Sequence, residues 1–406
     1  MSSRTSFLTR LPEPARATLG CLTAVAVAAA TIWYVGPWSS DEEPQLGPAR
    51  PVGAPVSVSG RTVSVLGAGD ILVHPQLWDQ ARRDGSFGYL DFRPMMAGVR
   101  STVSEADLAL CHLETPVAPP GGPYVGFPTF SVPEEVIAGI KHVGYDGCST
   151  ASNHTIDQGL DGVRRTLDAL DRAEVGHTGS YRSRKESTQL RIYRAEGVRI
   201  GHLSYTKSFN GLRPKPGQGW VAQLIDPDRI EQDARRLRAA GAEIVVVSLH
   251  WGTEYEHEPD VDQQTWARRV AAIRDVDVVF GHHAHVVQPV EQVNGKWIVY
   301  GMGNQLARHA EPVNANRDGV MIRVTFGSKS AADRWKVVAI EAIPTFVDLN
   351  PDIRLVDLER ELADASLTPG RRRIYEAAVE RIQGNLLTRS ADEAGLVVRA
   401  TPTPGQ

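Results

Sequence analysis

The sequence predicts an α/β fold whose sheet is covered by helices on both faces. Three observations carry this reading. Short apolar, β-branched runs recur between residues 61 and 350, and near-continuous apolar strands belong to sheets buried on both faces. Helix candidates alternate with these runs, as in crossover-connected strands. Each run ends in polar residues, and sites in open α/β sheets gather beyond the carboxyl ends of the strands.

Taken in order, regular structure is expected to begin at "RTVSVLGAGD" (61–70). "ADLALCHLET" (106–115) is the next apolar run with a polar end. "GYDGCSTASNHTID" (144–157) follows, and a helix is expected over Leu160–Ala173. A second helix, Pro227–Ala240, has Asp226 as its N-cap, Pro227 at its first position and Gly241 just past its end. It leads into "EIVVVSLHWG" (243–252). A helix over roughly Asp262–Ile273 leads into "DVDVVFGHHAH" (275–285), and "KWIVYGMGN" (296–304) closes the series. Residues 351–406 read differently, as a C-terminal extension with a helix from Pro369 to about Leu387 and a tail, "TPTPGQ".

The N-terminus carries Arg4, Arg10 and Arg16 before an apolar run, Leu19 to Val35, with Asp41, Glu42 and Glu43 after it. The run is long enough for a short membrane span. Basic residues before it and acidic ones after it orient the N-terminus inward. Residues 1–18 are therefore expected to be cytoplasmic, 19–36 a transmembrane anchor, and 37–60 a Pro-, Gly- and Ser-containing linker to an extracytoplasmic domain. The chain would be a single-pass protein of the cell membrane. A cleaved signal peptide with Ala28-Ala29-Ala30 as its small-residue site is the alternative. Trp33, Tyr34 and Trp38, and the apolar residues beyond that site, favour the anchor.

Lys and Arg total 44 against 48 acidic residues, a formal charge of −4, and Arg371-Arg372-Arg373 is the longest basic run. This excludes nucleic acid as a main partner. Three cysteines make no disulfide framework. Cys111 and Cys148 lie in apolar stretches and read as small buried hydrophobes, with a single Cys111–Cys148 bridge as the alternative.

The chain has 12 histidines, and seven stand at the polar ends of the apolar runs. The positions are Asp70 and His74; His112 and Glu114; Asn153, His154 and Asp157; His250 and Glu254; and His282, His283 and His285. Burying so many ionisable groups together without a cation would be costly. Imidazoles and carboxylates are the ligands of borderline divalent metals: Zn²⁺, Mn²⁺ or Fe²⁺. Gly281 is expected to turn the chain sharply so that the following imidazoles aim at the metal. Asp157 is expected to cap the helix that follows it, and Trp251 to pack. Glu254 and Glu256 stand open between solvent and site. Asn304 stands open between satisfying backbone groups at a turn and touching the metal.

Six blocks in order carry a family resemblance: "GAGDILVH", "ADLALCHLETPV", "ASNHTIDQGLDGVRRTL", "VVSLHWGTEYEHEP" with a following "QQTWARRV", "VFGHHAHVVQPVE" and "IVYGMGN". The sequence resembles the CapA family, the poly-γ-glutamate capsule synthesis proteins, which is related to the calcineurin-like metallophosphoesterase superfamily. The resemblance covers about Val63 to Thr345. It implies a four-layer α/β sandwich with two divalent metal ions at the strand ends, here behind an N-terminal transmembrane helix. It assigns metal ligation to Asp70, His74, Glu114, Asn153, His250, His283 and His285, and a catalytic role beside the leaving oxygen to His154. His74 departs from the superfamily by following Asp70 at four residues instead of two. Glu114 stands where the superfamily has a bridging aspartate. His112 replaces the asparagine of the family's Asn-Leu-Glu, as an added or substitute ligand. His282 could take one place in the Gly-His-x-His pair after a one-residue slip.

The resemblance implies a membrane-anchored, extracytoplasmic, metal-dependent hydrolase-like protein in poly-γ-glutamate capsule or cell-surface polymer biosynthesis. Its substrate would be an anionic polymer or a phosphoester, and its partners membrane-embedded synthase or export subunits. Two stretches read as substrate loops: "APPGGPYVGFPTFSVP" (118–133), and "SYTKSFNGLRPKPGQGW" (204–220) with Lys207, Asn210, Arg213 and Lys215. Cationic side chains suit phosphate or carboxylate; a solvated surface loop is the alternative. A non-enzymatic polymer-binding partner of a synthase is one further reading. A nucleotidase-like phosphoesterase, with Tyr124, Phe127 and Phe130 clamping a base, is another.

Overall fold

A computed structural model describes residues 60–330 and 333–399. The expected anchor at 19–36, nearly all of the linker and the final tail lie outside the described residues. Among the described residues no helix is long and apolar enough to cross a membrane.

The chain opens with β1 (Arg61–Leu72), α1 (Pro75–Asp84), α2 (Arg93–Met96), α3 (Arg100–Ser104), β2 (Leu108–Leu113), α4 (Glu135–Val143) and β3 (Gly147–Ser149). It continues through α5 (Gly159–Arg172), β4 (Gly176–Thr178), β5 (Arg191–Ala195), β6 (Val198–Thr206), α6 (Pro227–Ala239), β7 (Ile244–His250), α7 (Val261–Ala272) and β8 (Val278–His282). Then come β9 (Val290–Val293), β10 (Lys296–Val299), β11 (Asn304–Ala307), β12 (Asp318–Ser328), β13 (Lys336–Asp348), β14 (Arg354–Asp357), α8 (Leu358–Ala363), α9 (Pro369–Leu386) and β15 (Leu396–Val398).

These strands form two mixed sheets. One has nine strands, in the order β14-β13-β12-β1-β2-β3-β4, with β11 beside β1 and β15 beside β13. The other has six, in the order β5-β6-β7-β8-β10-β9. Alternation along each strand sends side chains to opposite faces. Val63 and Val65 of β1 and Leu108 and Leu110 of β2 share one apolar cluster with Ile244 and Val246 of β7 and Val278 and Phe280 of β8, so the sheets face each other. Leu66 and Ala68, on the opposite face of β1, pack with Leu77, Met96, Ile140 and Leu167 of the helices between β1 and β4. Val245, Val247 and Leu249, on the opposite face of β7, pack with Ile230 and Leu237 of α6 and Val270 of α7. Helices thus cover both outer faces, as the apolar runs predict.

Local chemistry explains the boundaries. Asp226 caps α6 by accepting from the Asp228 N–H at 3.0 Å, and Gly241 follows at φ +93°, the left-handed conformation expected just past a helix end. At α7, Asp260 and Gln263 form a reciprocal capping box.

Two expectations are corrected here. The segment after Pro351 is part of the domain. β14 and β15 both pair with β13, and Tyr375, Val379, Ile382 and Leu386 of α9 are buried in the cluster between the sheets. The helical period near the terminus was legible, but the partner strand that needs these side chains lies in β13. Truncation after Asn350 is expected to yield insoluble protein. Each fully buried apolar side chain contributes about 1.5–3 kcal/mol, so the loss rivals a domain's whole net stability of about 5–15 kcal/mol. Soluble expression with a native circular dichroism spectrum would contradict this.

The second correction concerns the cysteines. Cys111 and Cys148 lie opposite each other on β2 and β3, with Cα atoms 4.4 Å apart, and are joined as a disulfide. Two apolar runs do not reveal their shared register, which is why the sequence alone favours small buried hydrophobes over a bridge.

Candidate metal centre

The site is built where the carboxyl ends of both sheets meet. Asp70 on β1 is in register with His112 on β2 and Asn304 on β11. His250 on β7 is in register with His282 on β8. Gly67 lets the two sheets approach, since a Cβ there would sit 2.7 Å from the Phe280 ring.

Two groups of buried donors share one carboxylate. Asp70, Glu114 and His285 bring ligand atoms within 4.8 Å of one another, and so do Glu114, His250 and His283. Glu114 Oε1 lies 3.8 Å from His250 Nε2 and 3.7 Å from His285 Nε2. Asn153 Oδ1 lies 2.9 Å from His250 Nε2, on the Glu114–His283 side. Six of the seven expected ligands therefore converge. Glu114 is 1 % exposed, and neither of its carboxylate oxygens has a hydrogen-bond donor; the Nδ1 of His283 and the amide nitrogen of Asn153 also lack partners. Buried polar atoms left unpaired are costly in a folded protein. This donor set fits divalent cation binding, with Glu114 common to both groups.

The electrostatics agree. Burial pushes the Glu114 carboxyl well above the usual carboxylate range, a cost that adjacent cations would offset. Burial drives His250 well below the ordinary imidazole value and His283 down to about 3, so both present the neutral, ligating form. Asp70 is held below its usual range despite its burial, because His282 and His285 hydrogen-bond to it. At His285, burial opposes the charge, yet Glu114 and Asp70 outweigh it and raise the imidazole to about 10, so in the metal-free chain this ring carries the positive charge that a bound cation would replace. Asn304 buttresses the same ring: its Oδ1 lies 3.0 Å from His285 Nδ1, and its amide donates to the Asn316 carbonyl at 2.8 Å.

His74 does not join these groups. It sits at the N-cap of α1, its Nδ1 faces the Leu72 carbonyl at 3.2 Å, and its ring lies against His309 and Phe130. The four-residue spacing carries it past the strand end and onto the helix. His282 is placed behind Asp70, with Nδ1 at 3.2 Å from Oδ1, while His283 and His285 are the imidazoles grouped with Glu114.

Gly281 has a role other than the expected one. It continues β8 instead of turning, and a Cβ there would meet the Tyr300 carbonyl oxygen at 2.0 Å. The turn falls on the candidate ligands themselves: His283 has φ +89° and His285 φ +57°. Trp251 packs, fully buried, and donates its indole N–H to that same carbonyl at 2.8 Å.

Asp157 does not cap α5. It lies 2.7 Å from His154 Nδ1 and accepts from the Phe130 N–H at 2.7 Å. His154 lines a cleft of about 510 Å³ with His74, Phe127, Phe130, Glu254, Tyr255, His285 and His309. Glu254 stands at this mouth and can join His283 and His285 as a donor, whereas Glu256 is exposed. His309 was missed by sequence reasoning. It follows β11, which ends beside β1, so the strand-end rule that selected the other histidines would have found it. Of the expected substrate loops, Phe127 and Phe130 reach the cleft. Tyr124 packs instead against Trp78, with the ring planes tilted by 57°. Lys207 is committed to the Gly252 carbonyl, and Arg213 and Lys215 are exposed.

Comparison with known proteins bears on this centre. A family model described as "Bacterial capsule synthesis protein PGA_cap" matches residues 64–309, which hold every ligand named above. The "Capsule biosynthesis protein CapA" of Bacillus anthracis is 28% identical over 179 residues, 43% of each chain. The "PGA biosynthesis protein CapA" of Bacillus subtilis (strain 168) is 27% identical over 213 residues, 51% of this chain and 54% of that one. The chain thus spans about half the length of the curated relatives it matches. Among solved structures, the calcineurin-like phosphoesterase YfkN of Bacillus subtilis aligns with a TM-score of 0.44 at 14% identity, covering 80% of this chain and 97% of that one. Since the match takes in β1 through β11 and the strand ends that build the centre, the chain belongs to the bacterial capsule synthesis protein PGA_cap family.

Proposed function

We propose that the chain is a metal-dependent, phosphoesterase-like hydrolase that acts in making a capsule or cell-surface polymer. The observation that supports this best is Glu114: a buried carboxylate without hydrogen-bond donors, shared by two groups of ligand atoms. Two divalent cations, Mn, Zn or Fe, would supply Lewis-acid activation of water and of the substrate's phosphoryl or carbonyl oxygen. Asp70 and His285 would hold one, and Asn153, His250 and His283 the other.

The chain's own residues supply the rest. His154 has its Nδ1 committed to Asp157, which leaves Nε2 to meet a leaving oxygen in the cleft. The arrangement of a base-type ring oriented by a carboxylate is that of a general acid. Phe130 sets its edge against both His154 and His74, at ring-centroid separations of 4.7 and 5.6 Å, walling that side of the cleft from water. The names of the relatives support a capsule or poly-γ-glutamate context. In this reading the substrate is an anionic polymer or a phosphoester, residues 19–36 anchor the domain outside the membrane, and synthase or export subunits are its partners.

The purified full chain is expected to carry about two transition ions and to cleave bis(p-nitrophenyl) phosphate with Mn²⁺, losing cleavage to a chelator. A metal-loaded chain that cleaves neither this ester nor poly-γ-glutamate, but binds the polymer, would make it a scaffold and overturn the hydrolase reading.

A further inference from the structure

We infer that His112 is a positioning residue: it fixes the tautomer of His250, and so the ligand geometry of one half of the metal centre. This rests on the two-metal reading above. His250 turns its Nε2 toward Asn153 and Glu114. Its other nitrogen, Nδ1, lies 2.9 Å from His112 Nε2. His112 Nδ1 lies 2.8 Å from Ser149 Oγ, and that hydroxyl donates to the Cys111 carbonyl at 3.3 Å. His112, Ser149 and His250 are at most 1 % exposed, so water cannot substitute for any link.

The direction of this chain is set at its far end. A carbonyl only accepts, so the Ser149 hydroxyl spends its hydrogen there and accepts from His112 Nδ1–H. His112 is then neutral with a lone pair on Nε2, and it accepts from His250 Nδ1–H. The lone pair of His250 is thereby placed on Nε2, facing the Asn153 Oδ1 and Glu114 oxygens; these are acceptors with no proton between them, an arrangement that only a shared cation satisfies. Ligating histidines owe their orientation and basicity to such outer partners.

A direct ligand role for His112 fits less well. Asp70, His112 and His282 do bring donor atoms within 4.8 Å. Yet the His112 and His282 rings stack at 4.1 Å with 18° between planes, and in-plane lone pairs on stacked rings do not converge on one ion. Both nitrogens of His112 are also already engaged. An asparagine here would reach only as far as Nδ1, the atom at Ser149; the imidazole extends one atom further, to His250.

The test is titration of the metal-stripped full chain with Co²⁺, followed by visible absorption and by NMR of paramagnetically shifted imidazole N–H protons. Wild type is expected to bind two ions and to show a protected His250 Nδ1–H. His112→Leu is expected to weaken one binding step about 10–100-fold, leave the other unchanged, and lose the protected proton. Ser149→Ala should move both readouts in the same direction by less, and His112→Gln, whose carboxamide oxygen reaches the Nε2 position, should restore the affinity. A folded His112→Leu with both steps and the N–H signal unchanged overturns the inference while the two-metal reading stands. Should His112→Leu not fold, an unchanged affinity and N–H exchange in Ser149→Ala overturns it equally. A wild-type chain that binds no cobalt removes the two-metal reading and this inference with it.

Discussion

Replacing Glu114 with Gln is expected to cost the protein both metal ions at once. No other candidate ligand belongs to both groups of the proposed pair. An amide presents one acceptor oxygen and no charge where two cations need a shared anion, so the change removes several kcal/mol of ion binding. Elemental analysis of the purified variant should fall from about two ions per chain toward none, and hydrolysis should fall by about 10³-fold or more. Stability supplies an independent readout. A ligand that binds only the folded state stabilises it by about 2.7 kcal/mol at 100 times its dissociation constant. Chelator treatment should therefore lower the melting temperature of wild type and leave that of Glu114→Gln unmoved. The metal-free variant should be no less stable than metal-free wild type, because it no longer buries a carboxylate without donors. A variant that keeps both ions would end the bridging role.

Replacing His154 with Ala is expected to leave both ions bound and to slow hydrolysis selectively. His154 is not among the grouped donor atoms, but it lines the cleft with Nδ1 held by Asp157 at 2.7 Å. Loss of a positioned general acid costs about 10²–10⁴-fold. The cost depends on how much help the leaving group needs. An alkyl ester, whose alkoxide leaves poorly, should show the full loss; a p-nitrophenyl ester, whose phenolate leaves readily, should show much less. Asp157→Asn should give an intermediate loss with the same leaving-group dependence, since it disturbs the ring's tautomer without removing the ring. Equal losses for both esters would argue that His154 binds substrate and does not protonate it.

Much of this centre could be read from strand-end chemistry. Asp70, Glu114, Asn153, His250, His283 and His285 come from five distant segments, yet each follows an apolar run, and parallel strands bring their ends to one edge. What stayed hidden depends on partners that sequence spacing does not specify. His74 and His309 pack against each other in the cleft lining because one tops a helix and the other follows a strand that pairs with β1. Asp157 looked like a helix cap because it precedes an amphipathic segment; its actual partners are His154 and the Phe130 backbone, the latter on a loop far back in the chain. The C-terminal segment looked separable because its apolar period is clear, while the β13 edge that it completes shows no mark of being unfinished.

The left-handed backbone at His283 and His285 sets evolvability against robustness. Such conformations cost a non-glycine residue about 1–3 kcal/mol each where the surroundings impose them. Glycine would relax the segment, so directed evolution that screens only for heat resistance should discard these two imidazoles early. A thermostable descendant of this protein is the one to suspect of having lost its chemistry.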